Sequence, residues 1–226
     1  MSNYIFVDID GPLLPGKMHL YPINQKIERG KLNEAKPMFD NFAVQCFNMW
    51  AKYADAKIIF STNWATALYS YSDDDDCGPE LKLKKIMLDN GLDFEGRYHK
   101  DILTPKKFTS ARGSEIWWWL IENAKDGDKF IAVDDDSTCR YLEDYLRPRE
   151  QDKHYPNGFV KPDITGKWIE VDFANGLNWE NFTDGCEALG ISIDDINEGE
   201  FGIERLTAEE KEKREKALDM LIHCMI

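Results

Sequence analysis

Long apolar runs are missing from this chain of 226 residues, and none approaches the roughly 20 residues that a membrane-spanning helix needs. The N-terminus also lacks the basic-then-apolar layout of a signal peptide, so a soluble protein of the cytoplasm, with no membrane partner, is expected. Basic charge is scarce. Lys and Arg number 28 against 42 Asp and Glu, a net charge of −14, which argues against broad attraction to phosphate backbones but leaves open one nucleotide or one nucleic-acid end. The five cysteines, Cys46, Cys77, Cys139, Cys186 and Cys224, form no Cys-x-x-Cys pair and have no neighbouring histidine, so they read as reduced thiols. His19, His99, His154 and His223 stand singly in polar or terminal contexts and read as bystanders. There is no internal repeat. What remains, 42% hydrophobic and 12% aromatic residues, is enough for one α/β domain with a sizeable core and an extension.

The most informative stretch lies at the start, "YIFVDIDGPLLP", Tyr4 to Pro15. An apolar strand covered on both faces, as in a parallel sheet, runs into Asp8 and Asp10 and is stopped by Gly11 and Pro12. Residues i and i+2 of an extended chain point the same way, so two carboxylates share one crevice. Like charges that close repel and shift each other's pKa unless a cation lies between them, and Mg²⁺ is the simplest cation that favours carboxylate oxygens.

The pattern recurs. Lys57 to Phe60 form a short buried strand ending on Ser61 and Thr62, and Phe130 to Val133 form another ending on Asp134, Asp135 and Asp136. Helices are expected over Met38 to Tyr53, over Glu80 to Asn90 with Gly91 as its stop, and over Arg112 to Asp128 with Ser114 as N-cap. In that last helix Ile116, Trp119, Leu120 and Trp117 face the core, leaving Trp118 as the most exposed tryptophan. The three tryptophans read as core packing rather than a base-stacking platform. Leu92 to Ser110 reads as a loop, Asp73 to Asp76 as a solvated run without EF-hand spacing, and Arg147 onward as a long connection before a last strand, "KWIEVD". Asn178 or Asn181 begins a following helix. The end of the chain opens with a Thr-x-x-Glu capping box and forms a charged helix with an apolar last turn, a surface for docking on the body or on a second copy as a homodimer. Strands alternating with helices imply a parallel sheet whose polar strand ends lie where ligands bind in open α/β folds.

Two carboxylates at Asp8 and Asp10, a hydroxyl at Ser61 or Thr62, a cation at Arg112 or within Lys100 to Lys107, and acids at Asp134 and Asp135 are the parts that phosphoryl transfer needs. The stretches "IFVDIDG", "IIFSTNW", "RGSEIWWWL" and "FIAVDDD" resemble, in order, the four motifs of the haloacid-dehalogenase (HAD) superfamily of phosphohydrolases. "STNW", the Arg-Gly-x-Glu-Ile helix start, the triple aspartate and "WIEVDFANGLNWENF" are similar to the compact HAD domains associated with RNA-repair proteins. The resemblance implies a Rossmann-like three-layer sandwich with a minimal cap. It makes Asp8 the nucleophile, Asp10 the general acid/base, and Ser61, with Thr62 as alternate, the phosphate-binding hydroxyl. Asp134 and Asp135 would hold Mg²⁺ with Asp8 and the main-chain carbonyl of Asp10, and Asp136 would either support these ligands from behind or belong to a solvated turn. The superfamily's third motif is usually a lysine; Arg112 aligns best here, with Lys106 or Lys107 in reserve.

The expected layout is a HAD-like domain over residues 1–192, with a flap over 12–36, and a helical extension over 193–226. Little room for a large cap implies an open site for a phosphorylated substrate such as a nucleic-acid end, with Lys82, Lys84, Lys85, Arg97, Lys100, Lys106 and Lys107 as one wall or as an ordinary solvated face, while the flap at Gly16 to Lys36 equally suits enclosure of a nucleotide or small phosphate ester. Two rival readings are a non-catalytic module that keeps the fold and a receiver-like domain. Asp10 disfavours the second, because an acid/base beside the nucleophile promotes turnover of a phosphoenzyme.

Overall fold

A computed structural model describes residues 1–24, 37–70, 78–105, 111–146 and 162–196. The chain divides into Met1–Asp195 and Ile196–Ile226, and the expected helical extension lies, but for the first few residues of its range, outside the described residues. Within the first unit five parallel strands, β1 (Asn3–Val7), β2 (Lys57–Phe60), β3 (Tyr98–Leu103), β4 (Lys129–Asp134) and β5 (Thr165–Glu170), are ordered β3-β2-β1-β4-β5. The helices are α1 (Asn41–Tyr53), α2 (Trp64–Ser70), α3 (Pro79–Asp89), α4 (Arg112–Asn123), α5 (Arg140–Leu146) and α6 (Trp179–Leu189). This is the Rossmann-like α/β fold expected, with β1 at the centre.

Alternation along the central strands builds both layers. Tyr4, Phe6, Ile59, Phe130 and Ala132 pack with Ile116, Trp117, Trp119 and Leu120 of α4 and Leu142 of α5. Ile5, Val7, Ile58, Ile131 and Val133, equally buried, turn to the other face. Across α1 and α6, Trp50 stacks on Phe182 at 5.7 Å, and Gly185 admits the indole because a Cβ there would lie 2.6 Å from the ring. Trp118 is the exposed tryptophan of its trio, as expected.

Three expectations change. The presumed loop over 92–110 contains β3, an edge strand with Ile102 as its one fully buried residue, so no apolar run announces it. Helix α4 ends at Asn123 instead of Asp128, because Gly127 turns the chain with φ +83° and the Asp128 carboxylate binds Lys125 N, Ser2 N and the Tyr4 hydroxyl. Ser114 is not the N-cap; Ala111 is, without a side-chain bond, and the Ser114 hydroxyl lies 3.3 Å from that of Tyr145. Asn178 and Asn181 act together, forming a capping box at the start of α6.

Of the expected flap, residues 12–24 are described. Leu13, Leu14 and Pro15 are buried, and a 3₁₀ turn, Gly16–Leu20, is fastened to the loop after β5 by Gly16 N donating to Phe173 O at 2.7 Å and Lys17 N to Ala174 O at 2.9 Å. No helix among the described residues is long and apolar enough to cross a membrane.

Candidate active site

The register of the three central strands places the site residues in one row. Val7 pairs with Phe60 and with Val133, and the ladder runs one step further through Asp8 N donating to Val133 O and Ser61 N to Val7 O. Asp8, Ser61 and Asp134 therefore stand abreast and, by strand alternation, continue the face of Phe6, Ile59 and Ala132 that α4 covers. Arg112, the first residue of α4, closes the row from that side. Its Nε lies 3.0 Å from Asp134 Oδ2, its Nη1 3.4 Å from Glu115 Oε2 and its Nη2 3.9 Å from Asp8 Oδ1, with all four side chains buried.

Beyond Asp8 the chain closes tightly on itself. Leu13 N and Leu14 N both donate to Ile9 O and Gly11 N donates to Leu14 O, with Gly11 at φ +84°. A side chain at 11 would put its Cβ 2.6 Å from Asp135 Cγ, so glycine lets the acid turn after β4 approach the loop after β1. Asp135 thereby joins the row: Asp8, Asp134 and Asp135 each place one carboxylate oxygen within 4.8 Å of the others. Asp10 adds no side-chain oxygen to that group, and its implied share as a ligand is its main-chain carbonyl.

The charge is out of balance. Burial pushes the Asp8 carboxyl up to about 7, with Asp10 adding to the effect, against the Arg112 guanidinium and a hydrogen bond from Thr62 that pull it down. Burial and then the Asp8 charge hold Asp134 well above the ordinary carboxylate range, while burial followed by Asp10 and Asp136 raises Asp135. Burial alone would lower the Arg112 pKa, but Asp8, Asp134 and Glu115 together raise it. A cation bound between these carboxylates would offset the burial and mutual repulsion that raise all three.

Three buried polar atoms have no hydrogen-bond partner among the described residues: Ser61 Oγ, Arg112 Nε and Asp134 Oδ2. The last two touch at 3.0 Å, yet their alignment is not that of a hydrogen bond, so the contact is one of charge alone. Unsatisfied buried groups are rare, and three at one sheet end suit a site built for an ion and an anion. The donor set is all oxygen, as Mg²⁺ requires. Geometry also separates the two hydroxyls, for Thr62 is engaged with Asp8 and with Trp64 N at 3.3 Å, whereas Ser61 is not.

Among the expected cations, Arg112 is in the row. Lys100 lies on the edge strand β3 with its side chain 80% exposed, and Lys106 and Lys107 lie outside the described residues, as does the whole Asp73 to Asp76 run. Asp136 belongs to the turn, accepting from Thr138 N. Sequence reasoning missed Thr138, whose hydroxyl accepts from Arg112 N at 2.9 Å, and Trp168, whose Nε1 donates to Asp134 O at 3.1 Å. Thr138 sits in no local motif that would single it out, and Trp168 opens the resembling stretch "WIEVDFANGLNWENF" without any sign there of its bond to Asp134.

No curated protein and no solved structure matches the chain. The family model described as the HAD domain in Swiss Army Knife RNA repair proteins matches residues 4–182, from β1 into α6, and the chain belongs to that family.

Proposed function

We propose that the protein is a Mg²⁺-dependent phosphatase that hydrolyses a phosphomonoester through a phosphoryl group carried on Asp8. The HAD domain supports phosphohydrolase chemistry in general. The observation that carries the specific reading is the row of Asp8, Ser61, Asp134 and Arg112, in which one buried atom each of Ser61, Arg112 and Asp134 has no hydrogen-bond partner among the described residues.

Asp8, Asp134, Asp135 and the main-chain carbonyl of Asp10 would hold the metal. When bound, Mg²⁺ neutralises charge so that an anionic nucleophile and an anionic phosphate can approach each other. An Asp8 oxygen attacks phosphorus, the bond from phosphorus to the ester oxygen breaks, and Asp10 gives that oxygen a proton. Water then attacks the phosphoryl group on Asp8, passing a proton to Asp10; inorganic phosphate leaves and Asp8 is restored. The Ser61 hydroxyl and the Arg112 guanidinium bind the remaining phosphate oxygens.

The substrate we propose is a nucleotide or the terminal phosphate of a polynucleotide. The family's description supports this by naming RNA repair. The test is phosphate release from nucleotides, 3′- and 5′-phosphorylated oligonucleotides, sugar phosphates and a chromogenic ester, with Mg²⁺ and with chelator. Metal-dependent release that Asp8→Asn abolishes is expected. A folded protein that binds Mg²⁺ and releases phosphate from none of them would instead be a binding module on the same fold.

A further inference from the structure

Arg112 enters the acid cluster from the first position of α4, and its own N-cap, Ala111, has no side-chain bond to hold it there. We propose that Thr138 is the positioning residue for Arg112 and couples the guanidinium to the acid turn after β4; the proposal rests on the phosphatase reading only for what that positioning serves. The basis is a closed ring of contacts. Asp134 Oδ1 accepts from Asp136 N at 2.8 Å, Asp136 Oδ1 accepts from Thr138 N at 2.8 Å, Thr138 Oγ1 accepts from Arg112 N at 2.9 Å, and Arg112 Nε returns to Asp134 Oδ2 at 3.0 Å.

Gly113 allows the ring to close. A Cβ there would lie 2.8 Å from Leu142 N and 2.9 Å from both Cys139 O and Thr138 O, all main-chain atoms that cannot swing aside. The start of α4 is thus pressed against the 3₁₀ turn over 137–139 and the start of α5, with the Thr138 hydroxyl as the hydrogen-bond link. Because the links from Asp134 to Thr138 are the acids and main-chain N–H groups of the turn itself, a shift in Asp134 is passed through Asp136 and Thr138 to the backbone of Arg112. Mere capping of a helix would require the bond from Arg112 N but not the return from Arg112 Nε to Asp134.

Thr138→Val keeps the shape of the side chain and removes the acceptor; Thr138→Ser keeps the acceptor. With arginine isotope-labelled in the full chain, the Arg112 Nε–H resonance of the metal-free protein should move and exchange faster with water in Thr138→Val, and stay near its wild-type position in Thr138→Ser. With Mg²⁺, inorganic phosphate should bind Thr138→Val about tenfold more weakly, since small misplacements of a positioned group are costly. Asp136→Ala opens the ring one link earlier and decides the matter if Thr138→Val does not fold. An unchanged Arg112 signal and unchanged phosphate affinity in a variant that merely unfolds more easily would overturn the proposal. If wild type binds no phosphate with Mg²⁺, the phosphatase reading falls, while the Arg112 signal still decides for or against Thr138.

Discussion

Arg112 Nε and Asp134 Oδ2 meet at 3.0 Å with 5% and 1% of their side chains exposed, yet neither atom has an aligned hydrogen bond among the described residues. A buried ion pair repays its desolvation only when the geometry is good and the other polar atoms are satisfied. This one is poor as a structural element and apt as half of a site, because an arriving phosphate and metal would supply the missing partners.

Removing the cation separates the two roles. Arg112→Ala leaves Asp8, Asp134 and Glu115 buried without their positive partner and should cost about 3 kcal/mol in urea unfolding of the metal-free protein. Arg112→Lys keeps the charge without the planar fork and should fold, while kcat/KM falls by about 10²-fold, the scale expected for loss of one preorganised charge-stabilising donor.

The raised Asp8 pKa sets a pH dependence. Burial pushes its carboxyl from the ordinary 3.8 up to about 7, so between those values the folded, metal-free chain holds a proton that the unfolded chain releases. The stability from that proton is complete below the lower value and is lost as pH rises through the higher one. The urea midpoint without metal should therefore fall between about pH 4 and about pH 7, and Asp8→Asn should flatten the fall. Added Mg²⁺ should restore stability at the alkaline end by binding the folded state.

Much of this was legible in the sequence, for a physical reason. Strands covered on both faces are apolar to their ends, so Asp8, Ser61 and Asp134 stand out where each strand stops, and equal strand register then makes them neighbours. β3 was hidden because an edge strand half in water carries no apolar signature. Thr138 was hidden because its bond to Arg112 N spans 26 residues and exists only after α4 packs on the turn. Ser114 misled because capping propensity is local, whereas the first N–H of α4 is satisfied from elsewhere.

Gly11 joins the two acidic loops. Gly11→Ala forces a left-handed backbone on a residue with a Cβ, about 1–2 kcal/mol in thermal or urea unfolding, and drives that Cβ toward Asp135. Mg²⁺ affinity, read by calorimetry, should fall along with stability. Gly185→Ala, which strikes the Trp50 ring on the opposite side of the sheet, should lower stability and leave Mg²⁺ affinity unchanged.

The Ser61 hydroxyl, without a hydrogen-bond partner among the described residues, gives a narrower test. Ser61→Ala should leave the unfolding midpoint within about 0.5 kcal/mol or raise it, since a buried unpaired hydroxyl is lost, while phosphate binding weakens by about tenfold. Thr62→Val should instead raise the Asp8 pKa by removing a hydrogen bond to the carboxylate, visible in a carbon-detected NMR titration.

The central claim is that Asp8 carries the phosphoryl group, and mass spectrometry of acid-quenched protein tests it most directly. In Asp10→Asn, where release of the group is slowed, a phosphoryl group should accumulate on the peptide that contains Asp8 during turnover with Mg²⁺ and should be absent from Asp8→Asn. Product formation with that peptide unmodified, or with the group on another residue, would contradict the account.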